Sequence, residues 1–129
     1  MRLLLDTHIL LWALVDDTRL PDEARRLIVD PENAIWISAA CIWEIAIKHA
    51  LARSNMPISA DQAIGFSRAA GYEFLSISAL HTAATEKLPP LHADPFDRLL
   101  IAQAITEPMH LLTRDKAISR YTDAPVVRV

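Results

Sequence analysis

Two kinds of apolar pattern take turns along this chain: short continuous runs, and longer stretches with helical spacing. The first run, Leu3-Leu4-Leu5, ends abruptly at Asp6. A continuous run, rather than an alternating one, suits a strand covered on both faces. Thr7 can cap the helix that follows, from about His8 to Val15. Pro21, Asp22 and Glu23 open a second helix with an apolar stripe of Ala24, Leu27 and Ile28. The Asp30-Pro31-Glu32-Asn33 turn ends it. Ala34 to Ser38 reads as a second strand, and Ser38 caps a nearly all-apolar helix running to about Ala52. After a loop at Ser54 to Pro57, Ser59 caps a helix from Ala60 to Ala70, which Gly71 ends in the left-handed conformation.

The second half repeats the alternation. Tyr72 to Ile77 is a third strand, and Ser78 caps a helix from Ala79 to about Lys87. Pro89-Pro90 forbids its continuation. Asp94-Pro95-Phe96-Asp97 then starts a helix with an N-cap acid, a first-position proline and an acid at the capping-box place. Met109 to Thr113 is a fourth strand, Ala117 to Tyr121 a short helix, and Pro125 to Val129 a last short strand. Strands alternating with helices through short connections predict a parallel sheet with helices on both faces.

Length and composition narrow the class. The 129 residues suffice for one domain with a real core, spanning 1–129, and are too few for two comfortable ones. A hydrophobic content of 52% argues against disorder. No apolar run spans a membrane, and the N-terminus lacks a signal-peptide pattern, so the expected location is cytoplasmic. The lone cysteine, Cys41, leaves no internal disulfide framework or cysteine-rich zinc site, and a buried place is expected for it. The net charge of -3 excludes a generic polyanion binder. Any nucleic acid would meet a local basic rim, with metal ions offsetting the acids.

Four acids share one edge of that sheet. Crossover helices run antiparallel to the strands, so each begins at the carboxyl edge. Asp6 ends the first strand and Asp115 follows the fourth. Asp97 lies in the first turn of the helix leading into the fourth. Glu44 is about a turn and a half into its helix, roughly 9 Å along the axis, and reaches the edge only if that helix tilts. Other accounts stand beside this one. Asp6 is placed to cap a helix, and Lys48, four residues after Glu44, can pair with it on the surface. Two carboxylates about 4 Å apart repel by roughly 4 kcal/mol at an effective dielectric of about 20. Four together need protons or cations, and carboxylate oxygens suit magnesium or manganese.

The segments around these acids resemble a known family. Asp6 after its apolar strand, Trp-Glu-Ile-Ala-Ile-Lys around Glu44, Asp-Pro-Phe-Asp-Arg-Leu-Leu-Ile-Ala-Gln-Ala around Asp97, and Leu-Leu-Thr-Arg-Asp ending at Asp115 look like the acid motifs of PIN domains. The likeness is greatest to VapC-type ribonuclease toxins of bacterial toxin–antitoxin pairs. It implies a three-layer α/β/α fold with a central parallel sheet of four to five strands in order 3-2-1-4-5. It also implies that Asp6, Glu44, Asp97 and Asp115 hold one or two ions, Mg2+ or Mn2+. Thr113 matches the small hydroxyl residue that often precedes the last acid, and Asp94 is kept as a cap with a supporting role. Further implied are an RNA substrate, metal-dependent endoribonuclease activity, a cognate antitoxin partner and a homodimer. The cations beside the acids, Lys48, Arg98, Arg114 and Lys116, are candidates to receive RNA phosphates.

Alternatives have their own signatures. An aspartyl-nucleophile phosphatase of haloacid-dehalogenase type needs a second acid two residues after Asp6, where this chain has His8. A non-catalytic PIN-like scaffold commonly loses acids, and this chain keeps four. The five histidines lack the close spacing of a helical zinc pair. Only His8, two residues past Asp6, is placed to face the cleft. Trp12, Trp36 and Trp43 are expected in the core or an interface.

Overall fold

A computed structural model describes residues 1–52 and 55–129. Its elements, in chain order, are β1 (Arg2–Leu5), α1 (Thr7–Leu14), α2 (Asp22–Val29), β2 (Ala34–Ser38), α3 (Ala39–Ala50) and α4 (Ala60–Ala69), then β3 (Glu73–Leu75), α5 (Ala79–Ala84), α6 (Pro95–Thr106), β4 (His110–Thr113), α7 (Lys116–Ser119) and β5 (Val126–Arg128). The five strands form one sheet in the order β3-β2-β1-β4-β5, and every pair is parallel.

β1 is central because both of its faces are apolar. Neighbouring residues of a strand point to opposite faces, and Leu3, Leu4 and Leu5 are all fully buried. Helices therefore cover both sides, which gives three layers, α/β/α. Burial of each such leucine contributes about 1.5–3 kcal/mol. In register, Leu4 lies beside Trp36 of β2 and Leu111 of β4. Isoleucines and leucines of β2, α6 and β4 complete the core, with Cys41 inside it as expected. The strand order reverses direction between β1 and β4, where a cleft opens at the carboxyl edge.

Most caps fall where the sequence places them. Ser38, Ser59, Ser78 and Asp94 all accept backbone N–H bonds at their helix starts, and Gly71 has φ +82°. Several boundaries differ. α1 is capped by Asp6, not Thr7, because the Asp6 side chain accepts from the Ile9 amide and leaves Thr7 inside the first turn. α3 stops at Ala50, and part of the loop expected at Ser54 to Pro57 lies outside the described residues. The third strand is only three residues long.

The helix expected to run to Lys87 breaks after Ala84 into a 3-10 turn, Thr85–Lys87. The cause is Pro89. In an α-helix the Thr85 carbonyl would accept from residue 89, which has no N–H. It accepts instead from Leu88 N–H at 3.2 Å and from Arg98 Nη2 at 2.9 Å.

Candidate metal-binding active site

Asp6 is the first side chain past the end of β1. Its backbone N–H donates to Leu112 O at 3.1 Å, which pins it to β4. Its two oxygens do different work. Oδ1 accepts from the Ile9 amide at 2.9 Å and caps α1. Oδ2 accepts from the Thr113 hydroxyl across the β1–β4 seam. Thr113 Oγ1 in turn accepts from the Asp115 amide at 3.0 Å, so one hydroxyl ties two acids together. Asp115 also caps α7 through Ala117 N–H at 2.8 Å. Capping and convergence, which the sequence presents as rival accounts, are both present on the same carboxylates.

Glu44 reaches this edge. Thr7 Oγ1, one residue past Asp6, donates to Glu44 Oε1 at 2.6 Å, and Lys48 Nζ donates to Oε2 at 2.6 Å. The i+4 ion pair therefore coexists with a place at the cleft, and Glu44 is buried, 5% exposed. Thr7, His8, Glu44 and Lys48 line a hollow of about 240 Å³. His8 itself is exposed, with its ring 5.9 Å from that of Trp12.

Asp97 comes from the first turn of α6. Its carboxylate does not reach back to close a capping box. Oδ2 pairs instead with His92 Nε2 at 2.7 Å. One ligand atom each from His92, Asp97 and Asp115 lie within 4.8 Å of one another. His92 was not singled out by sequence. The one available signal was a histidine five residues before Asp97 on a loop stiffened by Pro89, Pro90 and Pro95. Asp94 caps α6 through Phe96 and Asp97 N–H at 2.8 and 3.2 Å.

Electrostatics record the crowding. Burial pushes the Asp6 carboxyl up. The Ile9 amide, Thr113 and His8 oppose that rise, and Asp115 adds to it. Asp97 is pushed up to about 6, chiefly by burial, with His92 opposing and Asp94 and Asp6 adding. Cys41, beneath the cleft, is pushed up to about 12 by burial, with Asp6, Glu44 and Asp97 contributing. A set of carboxylate oxygens that raise one another's proton affinity fits a hard divalent cation.

The basic candidates separate. Arg98 is engaged by the loop: its guanidinium donates to the carbonyls of Thr85, Pro89 and His92 and to Tyr121 Oη, at 2.9, 3.0, 3.4 and 3.0 Å. Lys48 is held by Glu44. Arg114 and Lys116 are exposed and, among the described residues, make no ion pair. Arg114, Trp12 and Arg19 line a second hollow of about 460 Å³. Trp12 and Trp36 are half-buried against the core, whereas Trp43 is 57% exposed and packs edge-on to Phe96.

A sequence comparison settles the family: the PIN domain matches residues 3–124. The chain belongs to the PIN domain family. The fold is similar over 100% of this chain, and 99% of the other, to the crystal structure of VapBC2 from Rickettsia felis bound to a DNA fragment from its promoter, at 20% identity and a TM-score of 0.71. It is similar to DNA-bound VapBC from Salmonella typhimurium at 14% identity and TM-score 0.70, covering 99% of this chain and 98% of that one. VapBC-5 from Mycobacterium tuberculosis, a member of the VapBC family of toxin-antitoxin systems, gives 16% identity and TM-score 0.65, covering 99% and 98%. No curated protein matches the sequence. Among the described residues, no helix of this PIN domain is long and apolar enough to cross a membrane.

Proposed function

We propose that this PIN domain, read as one domain over residues 1–129, is a metal-dependent endoribonuclease and the toxin of a toxin–antitoxin pair. One observation carries the reading. Asp97 and Asp115 bring ligand atoms within 4.8 Å of each other and of His92, while Asp6, linked to Asp115 through Thr113, and Glu44, bonded to the Thr7 beside Asp6, stand at the same carboxyl edge where the strand order reverses. Likeness to VapBC folds supports the toxin class and a small antitoxin as partner.

In this reading Asp6, Asp97 and Asp115 hold Mg2+ or Mn2+, with Glu44 beside them. A divalent ion bound there activates water and offsets charge on a phosphodiester. The chain's own groups prepare the site. Thr113 fixes the Asp6 carboxylate and the Asp115 backbone together. Thr7 and Lys48 each hold one oxygen of Glu44, which gives both oxygens of a buried carboxylate a partner and fixes its direction. Arg114 and Lys116, exposed beside Asp115, receive RNA phosphates. An antitoxin that shields the cleft would present a cation, best an arginine, to the carboxylates. The exposed Trp43 supports a homodimer through the α3 face, and a cytoplasmic setting follows from an RNA substrate.

The test is direct. Purified protein is incubated with RNA in Mg2+, in Mn2+ and in chelator, and expressed in cells alone and with any small antitoxin-like reading frame found beside its gene. Metal-dependent cleavage and a growth defect relieved by the partner are expected. Cleavage of a phosphate monoester but not RNA points to the phosphatase, and no activity with any metal points to a scaffold.

A further inference from the structure

Two arginines fasten the loop that carries His92. Arg98 donates to the His92 carbonyl and to Pro89 O, Arg120 Nη1 donates to Leu91 O at 3.1 Å, and Leu91 N–H donates to Pro89 O at 2.9 Å. The backbone from Pro89 to His92 thus has its carbonyls engaged at Pro89, Leu91 and His92, and the imidazole projects onto Asp97 with Nε2 2.7 Å from Oδ2. A carboxylate oxygen and an imidazole nitrogen that close have a proton or a cation between them.

The third member favours a cation. The ligand atoms of His92, Asp97 and Asp115 come from a loop, the first turn of α6 and the turn after β4, and all lie within 4.8 Å of one another. Around one six-coordinate ion with bonds of about 2.1 Å, adjacent ligand atoms are about 3 Å apart and opposite ones about 4.2 Å. With all separations within 4.8 Å, side-chain rotations suffice to bring the three to such an ion.

We propose that His92 supplies a nitrogen ligand to the ion held by Asp97 and Asp115, so that the site is a mixed nitrogen–oxygen one. This rests on the reading of the acids as a metal site. The neutral ring then carries its proton on Nδ1 and presents Nε2 to the ion. The chemical consequence is selectivity. Oxygen-only sites suit Mg2+, whereas imidazole suits first-row transition ions. The nitrogen therefore raises the preference for Mn2+ over Mg2+, and Arg98 is the positioning residue that holds the loop for it.

Pulsed electron paramagnetic resonance on the full chain loaded with Mn2+ tests this. Imidazole nitrogen bound to Mn2+ gives a 14N modulation. Wild type and His8→Gln should show it, and His92→Gln should not. Glutamine keeps an N–H for Asp97, so a role confined to orienting that carboxylate leaves Mn2+ affinity intact. Ligation instead predicts a loss of about tenfold or more in Mn2+ affinity, with Mg2+ affinity changing far less. Labelling histidine with 15N in wild type detects the same ligand without a loop substitution, should the variant fail to fold. Bound Mn2+ with no histidine modulation, or modulation unchanged in His92→Gln, overturns the inference and leaves the carboxylate site standing. Wild type that binds no Mn2+ overturns both.

Discussion

The Thr7 hydroxyl donates a 2.6 Å hydrogen bond to Oε1 of Glu44, across 37 residues of chain. It accounts for an acid deep in α3 standing at the edge where Asp6 stands. Removing it exposes how much of Glu44's placement is local. Thr7→Val keeps the shape and deletes the donor, leaving a buried carboxylate short of one partner. Stability should fall by about 1–3 kcal/mol, and RNA cleavage with it. Denaturant melts of Thr7→Val, Glu44→Gln and the double variant form a cycle. Strictly additive losses would show that the contact carries no coupling.

Asp6 and Asp115 cap helices with one oxygen and face the cleft, so their substitutions separate two roles. Asparagine keeps a capping oxygen, and alanine removes it at about 1 kcal/mol. In chelator, Asp6→Asn and Asp115→Asn should therefore melt close to wild type, and the alanine variants lower. All four should lose the stabilisation that saturating magnesium gives the native state by mass action, and with it RNA cleavage. Full magnesium shifts in both asparagine variants would sink the site.

Asp97 predicts a pH dependence with a definite sign. Its folded-state pKa is raised from 3.8 to about 6. A raised pKa means the folded chain binds the proton more tightly than the unfolded chain. This contribution to stability is fully present below pH 3.8 and is lost as pH rises through about 6. In chelator, wild type should lose stability relative to Asp97→Asn across that window, by about 1–2 kcal/mol once solvent screening is allowed for. With magnesium the dependence reverses, because protons and the ion compete for the carboxylate, and the metal-induced shift in melting temperature should shrink below about pH 6. A flat difference between the two proteins from pH 4 to 7 would remove Asp97 as the titrating group.

Arg98 and Arg114 are adjacent to acids in the sequence and should behave oppositely. Arg98 spans several carbonyls with a planar fork, which lysine does not reproduce. Arg98→Lys and Arg98→Met should each cost about 1–2 kcal/mol, as the loss of several partly buried hydrogen bonds does. Arg114→Ala should alter stability by no more than about 0.5 kcal/mol. It should instead weaken binding to single-stranded RNA and lower the salt slope by about 0.7. Melts and salt titrations on a catalytically dead background distinguish them, and an unchanged salt slope in Arg114→Ala would argue against its contact with phosphate.

The sequence alone determined the layers, the capped helices and the order of the acids. A continuous Leu3–Leu5 run reports two-sided burial, and Asp94-Pro95 reports a helix start, because both depend only on neighbours in the chain. The strand order was legible only through resemblance, since a parallel sheet's local patterns do not say which strands are adjacent. Tertiary structure decided the rest. Whether Glu44 met the cleft or merely paired with Lys48 depended on Thr7, which reaches it only after β1 and β2 pair. Whether Asp6 only capped α1 or was also linked to Asp115 depended on Thr113, 107 residues away, brought beside it by the β1–β4 register. Arg98 sits in a motif that reads as functional, yet the fold folds the Pro89-Pro90 loop over it and supplies carbonyls for its guanidinium. His92 sits in a stretch that reads as mere loop, and the same fastening turns its ring onto Asp97. Local patterns report burial and backbone geometry. Polar contacts between distant segments are settled only when packing brings the partners within hydrogen-bonding range, where an unpaired buried group is too costly to leave.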